Sequence, residues 1–80
     1  MDTRLAVKER FVELCNNKKL SYNALARISG IHPSTVKGII NGASNNPGIV
    51  TIKKLCDGLE ISLTDFFNND TFQHLEQEIK

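Results

Sequence analysis

The chain is predicted to form an all-α domain of five or six short helices, and three observations point there. Apolar residues recur three and four positions apart, residues that start and stop helices punctuate those runs, and no segment alternates apolar and polar side chains as a strand does. With 80 residues, 40% of them apolar, and no apolar run of membrane-spanning length, one soluble domain around one core is expected. No charged stretch followed by an apolar segment and a cleavage site opens the chain, so the expected address is cytoplasmic.

Helix one, roughly residues 3–18, sets Val7, Phe11, Leu14, Cys15 and Lys18 at helical spacing, with Asp2 or Thr3 as its cap. Ser21 caps a second helix of about eight residues in which Leu25 and Ile28 recur at i, i+3, Ala24 and Ala26 are small, and Gly30 supplies a left-handed stop. Pro33 holds His32 extended and provides a first helical position for helix three, which carries Val36, Ile39 and Ile40 on one side and runs to Asn41, with Gly42 as terminator. The segment 43–48, ASNNPG, is a loop. Helix four follows over 49–59 with Ile52, Leu55, Cys56 and Leu59 at i, i+3, i+4, i+7. Ser62 then caps a short helix five, anchored by Leu63, Phe66 and Phe67. Asp70 with Gln73 forms a capping-box-like start for a sixth helix carrying Phe72, Leu75 and Ile79. The division expected is a domain over 1–67 and a helical tail over 68–80.

The net charge of +1 hides a polarised distribution. From Leu14 to Cys56 there is no acidic residue, while Lys18, Lys19, Arg27, Lys37, Lys53 and Lys54 contribute +6; from Asp57 onward six acids against Lys80 give −5. An acid-free basic half suits a polyanion, although lysines also serve simply to keep surfaces soluble. Cys15 and Cys56 stand forty-one positions apart with no CxxC pair and no histidine cluster, so no metal site is expected and both read as small buried apolar residues. His32 and His74 have no partners at motif spacing, so no catalytic residue and no cofactor is expected either.

Residues 21–42 form one unit of helix, three-residue turn and second helix, with Ala26 and Gly30 small enough for a close steep crossing and Ile31 and Val36 filling the joint. On helix three, Ser34, Lys37, Gly38 and Asn41 fall at i, i+3, i+4, i+7, opposite Val36, Ile39 and Ile40. That face holds no acid and no core residue, and a helix so furnished fits a DNA major groove. Gly38 costs about 1 kcal/mol in a helix relative to alanine but lets the helix lie close to bases. A merely solvated face is the alternative.

The run LSYNALARISGIHPSTVKGIINGASNNPGIVTIKKLCDGLEISLTDFF, residues 20–67, resembles the Cro/C1-type (XRE-like) helix-turn-helix of phage repressors and bacterial regulators. The marks that carry the resemblance are Leu25-Ala26, Gly30, Val36, Asn41-Gly42, Pro47, Thr51-Ile52, Leu55, Leu59 and Ser62-Leu63. It implies a compact five-helix lambda-repressor-like fold and a regulator of transcription, with helix three reading bases through His32, Pro33, Ser34, Lys37 and Gly38. Phosphates would be held by Tyr22, Asn23, Asn41, Ser44 and Asn45. It implies double-stranded DNA as partner, a homodimer on a pseudo-palindromic operator, and repression in preference to activation. Tyr22 stands where many relatives carry glutamine. Pro33 offers no donor where relatives often carry a polar reader, so readout leans on Ser34, Lys37 and DNA shape. Many relatives also join helices one and three by an arginine and a glutamate where this chain has Cys15 and Ile40. Exchanging both partners for apolar groups strands no charge, and contact between Cys15 and Ile40 is expected.

An antitoxin or protein-interaction module is the alternative function. The same fold serves both, and Phe72, Leu75 and Ile79 would line one face of a sixth helix that either folds back or pairs with another chain.

Overall fold

A computed structural model describes residues 1–42 and 46–79. It contains α1 (Thr3–Lys18), α2 (Tyr22–Ser29), α3 (Pro33–Ile40), α4 (Ile49–Leu59) and α5 (Leu63–Phe67), followed by one 3₁₀ turn, Asp70–Phe72. Four of the five helix starts are fixed by a side chain that accepts a first-turn N–H. Asp2 takes Leu5 at 2.8 Å, Ser21 takes Ala24 at 3.1 Å, His32 takes Ser34 at 3.1 Å and Ser62 takes Asp65 at 2.9 Å. Only α4 starts, at Gly48, without a side-chain cap.

Three helices end in the same way. Lys19, Gly30 and Glu60 adopt left-handed φ values of 53°, 68° and 60°, and the following residues, Leu20, Ile31 and Ile61, donate back to the carbonyls of Cys15, Ala26 and Cys56 at 2.9, 3.0 and 3.0 Å. Leu20, Ile31 and Ile61 then turn inward and pack against the core. Each helix end thus both satisfies its last carbonyls and adds apolar surface to the interior.

The core is one cluster to which all five helices contribute, centred on Phe11, Leu25, Val36, Leu55, Leu59 and Phe66. No polar or charged residue is buried among the described residues. Cys15 and Ile40 are both buried in this cluster, so the expected apolar join of α1 and α3 leaves no charge in the interior. Burial removes the thiols from water, which disfavours thiolate. Cys15 is raised above its ordinary pKa, and Cys56 is pushed up to about 11.

α2 lies between α3 and α4, and Gly58 of α4 meets Ser29 of α2 so closely that a Cβ there would stand 2.1 Å from Ser29 Oγ. The close approach expected at Gly30 is therefore located elsewhere, since a Cβ at Gly30 would meet nothing within 4 Å and that glycine serves only the left-handed turn. Ile28 is 56% exposed and not on the buried stripe. At 100° per residue the buried arc of α2 runs from Leu25 through Ser29 to Ala26, and Ile28 falls outside it. Lys18 is likewise exposed, and α3 stops one residue early, with Asn41 as its cap.

The sixth helix is replaced by the single 3₁₀ turn. Asn69, not Asp70, caps it by accepting the Thr71 N–H at 2.9 Å. Phe72 is drawn into a ring cluster, 5.0 Å from Phe67 and 5.8 Å from Phe66 between centroids, and the Glu76 N–H bonds to the Met1 carbonyl at 3.0 Å. These tertiary contacts outweigh the weak drive of so short a segment to form a helix. Phe72, Leu75 and Ile79 consequently share no helix face, and Ile79 is 90% exposed.

Candidate nucleic-acid interface

The sequence of α3 divides cleanly between two surfaces. Val36, Ile39 and Ile40 are buried, which seats one side of the helix on the domain; His32, Pro33, Ser34, Thr35, Lys37 and Asn41 are exposed, and Gly38 is half-buried at the border. Pro33 occupies the first helical position, where its missing N–H costs nothing. His32 caps the helix. Its Nδ1 accepts the Ser34 N–H at 3.1 Å and lies 2.7 Å from Ser34 Oγ, so the first two polar groups of the exposed face are joined to each other.

At the start of α2, Ser21 caps the helix and leaves Tyr22 and Asn23 exposed beside the first-turn N–H groups, an arrangement that favours negative charge. Tyr22 is 37% exposed. Gly42, at φ 78°, turns the chain out of α3. Ser44 and Asn45 lie outside the described residues. Asn46 and Pro47 resume beyond them and lead into α4.

The charge of this surface differs in one respect from the sum over the sequence. Lys53 forms an exposed ion pair with Asp57 one turn along α4, which sets an acid directly beside its charge. The i, i+4 spacing of the two residues is the signal that was present in the sequence. Lys37 forms no ion pair among the described residues, and neither does Arg27, Lys18, Lys19 or Lys54. No helix among the described residues is long and apolar enough to cross a membrane.

A structural anchor that no local sequence pattern marks joins α1 to α5. Arg10 Nε donates to the Phe66 carbonyl at 2.8 Å and Nη2 to the Asp65 carbonyl at 2.9 Å, while Nη1 pairs with Glu13 at 2.5 Å. Glu13 also accepts from Asn69 Nδ2 at 3.2 Å. The guanidinium thereby satisfies carbonyls at the end of α5, which is too short to satisfy its own.

Comparison with known proteins agrees with this geometry. A helix-turn-helix family model matches residues 13–66, which takes in everything from the second half of α1 to Phe66. The HTH-type transcriptional regulator SlrR of Bacillus subtilis (strain 168) is 33% identical over 66 residues, covering 81% of this chain and 43% of the relative, so the chain spans less than half the length of that regulator. Among solved structures, the crystal structure of the prophage Lp1 protein 11 superimposes with a TM-score of 0.80 at 36% identity, covering 94% of this chain and all of that one. Capped α2, left-handed Gly30 and a half-exposed α3 coincide with the stretch that the family model matches, and the chain is a member of the Cro/C1-type (XRE-like) helix-turn-helix family.

Proposed function

We propose that the chain is a sequence-specific DNA-binding regulator of transcription that places α3 in the major groove. The observation that carries this is the exposed, acid-free face of α3, with His32, Pro33, Ser34 and Lys37 outward and Gly38 at its edge, on a helix whose other side is fixed by Val36, Ile39 and Ile40. Base edges are read by those five residues. Tyr22 and Asn23 at the start of α2, and Asn41, Ser44 and Asn45 after α3, hold the flanking phosphates. One module of this size reads few base pairs, so two copies bind a pseudo-palindromic operator as a homodimer. The regulator acts in the cytoplasm as a repressor, by occupying DNA. SlrR, the similar protein from Bacillus subtilis, is a transcriptional regulator by name, which supports the same role here.

The test is selection of bound sequences from a randomised duplex pool, followed by affinity measurements across a salt series. An enriched pair of half-sites with affinity falling steeply as salt rises is expected. Absence of an enriched motif refutes sequence-specific binding.

A further inference from the structure

The bonds at the start of α3 fix which hydrogen-bonding group His32 presents outward. A backbone N–H can only donate, so Nδ1, which receives the Ser34 N–H at 3.1 Å, must carry the lone pair. Ser34 Oγ lies 2.7 Å from the same nitrogen, and with Nδ1 unprotonated its O–H donates to the lone pair that the Ser34 N–H also uses. A neutral imidazole with an unprotonated Nδ1 carries its hydrogen on Nε2. That nitrogen has no partner among the described residues, and His32 is exposed at the end of the face assigned above to DNA.

We infer that His32 is a donor-only contact to DNA, its Nε2–H directed at a hydrogen-bond acceptor by the cap that Nδ1 makes, and that Ser34 is the positioning residue holding the ring. The inference rests on the DNA-binding role proposed above and deepens it. A helix cap of serine or threonine uses its one polar group on the helix, whereas imidazole has a second nitrogen on the far side of the ring. Capping and contact are thus combined in one side chain. A fixed N–H donor suits guanine O6 or N7, adenine N7, thymine O4 or a phosphate oxygen, and it faces the cytosine amino group donor to donor. Ser34, whose hydroxyl gives its hydrogen to the ring and keeps its lone pairs to accept, acts on the same base pair through His32 as well as directly.

Two measurements on the full chain test this. The first is the ¹⁵N–¹H correlation pattern of the His32 ring in the free protein, which is expected to show hydrogen on Nε2; hydrogen on Nδ1 overturns the inference. The second compares the wild type with His32→Ser and Ser34→Ala in pool selection and salt titration. Serine retains a helix cap, so His32→Ser remains folded while losing the ring. Loss of one neutral hydrogen bond is expected to weaken discrimination at one base pair by roughly two- to tenfold, and Ser34→Ala is expected to relax the same position. If the motif is unchanged but the affinity of His32→Ser falls by a similar factor on every sequence, the acceptor is a phosphate oxygen. A motif and an affinity both unchanged in His32→Ser overturn the contact while leaving DNA binding intact. A wild type that selects no motif overturns the DNA-binding role and the contact together.

Discussion

A Cβ at Gly58 would lie 2.1 Å from Ser29 Oγ, and that hydroxyl, buried between α2 and α4, has no hydrogen-bond partner among the described residues. The two features belong together. The absence of a side chain at Gly58 is what admits the serine oxygen into the seam, where it is desolvated without compensation.

Opposite signs are expected from substitutions at these two positions. Ser29→Ala removes the unsatisfied oxygen and is expected to stabilise the domain by about 1 kcal/mol. Gly58→Ala in the wild type gains helix propensity but meets Ser29 Oγ, and is expected to destabilise by about 1–3 kcal/mol. In the Ser29→Ala background the nearest remaining atom is Ser29 Cβ at 3.3 Å, so a few tenths of an ångström of adjustment suffices and Gly58→Ala becomes far less harmful. Urea denaturation of the four proteins closes the double-mutant cycle, and additive effects would show that the two residues do not share the seam.

Glu60 occupies the left-handed region at φ 60°, where a residue with a Cβ is disfavoured by about 1–2 kcal/mol. Glu60→Gly relieves that conformation and gives back part of the gain through the greater freedom of glycine in the unfolded chain. A net rise in stability of about 0.5–1 kcal/mol, seen as a higher melting temperature, is expected. Lys19 has the same geometry, but its charge belongs to the basic half, which makes Glu60 the cleaner position.

The extent to which the fold was legible in the sequence follows from which interactions are local. Helix starts at Asp2, Ser21 and Ser62, the left-handed stop at Gly30 and the buried stripe of α4 all depend on residues within a few positions of one another, and each stands where the spacing places it. Contacts between distant segments were not legible. Gly58 against Ser29 and Arg10 against the carbonyls of α5 join residues from 29 to 56 positions apart, and nothing in the local pattern marks them; Phe72 meets Phe67 and Phe66 only five and six positions away, but the cluster it joins is anchored by Phe11, 55 positions from Phe66. Lys19 and Glu60 in left-handed turns were hidden for a different reason, since neither is a residue type that favours that conformation. At the interface the exposed face of α3 was readable from periodicity, whereas the bond between His32 and Ser34 was not.

Arg10 joins α1 to the end of α5 through two carbonyls, and its guanidinium lies 5.9 Å from the centre of the Phe66 ring. Arg10→Ala leaves those carbonyls without their donor and is expected to cost about 2–3 kcal/mol in denaturant unfolding. Lysine cannot reproduce the planar fork. Arg10→Lys should therefore recover less than half of the loss, and full recovery would show that charge alone matters at this position.

Cys56 is fully buried and its pKa is pushed up to about 11 by loss of hydration, from an ordinary value of 9.0. A raised folded-state value means that the unfolded chain releases this proton first. The stabilising contribution is fully present below about pH 9 and is lost as pH rises toward 11, with a slope approaching about 1.4 kcal/mol per pH unit. Stability curves measured from pH 8 to 11 for the wild type and Cys56→Ala should diverge in slope across that window. Parallel curves would show that the thiol does not contribute to the alkaline loss.

Lys37 and Lys53 carry the same formal charge into the acid-free half, but only Lys53 is already paired, with Asp57. A paired lysine has less unscreened charge with which to displace counterions from DNA, so the two should differ in how their removal changes binding. Lys37→Ala is expected to weaken binding, to relax base preference at the position it reads, and to make the dependence of log affinity on log salt shallower by about one. Lys53→Ala should leave the slope nearly unchanged, because the lysine already faces Asp57 and its removal takes no contact away from DNA. Equal changes in slope for both variants would mean that the surface attracts DNA by its total charge alone, and would remove the distinction drawn here for α3.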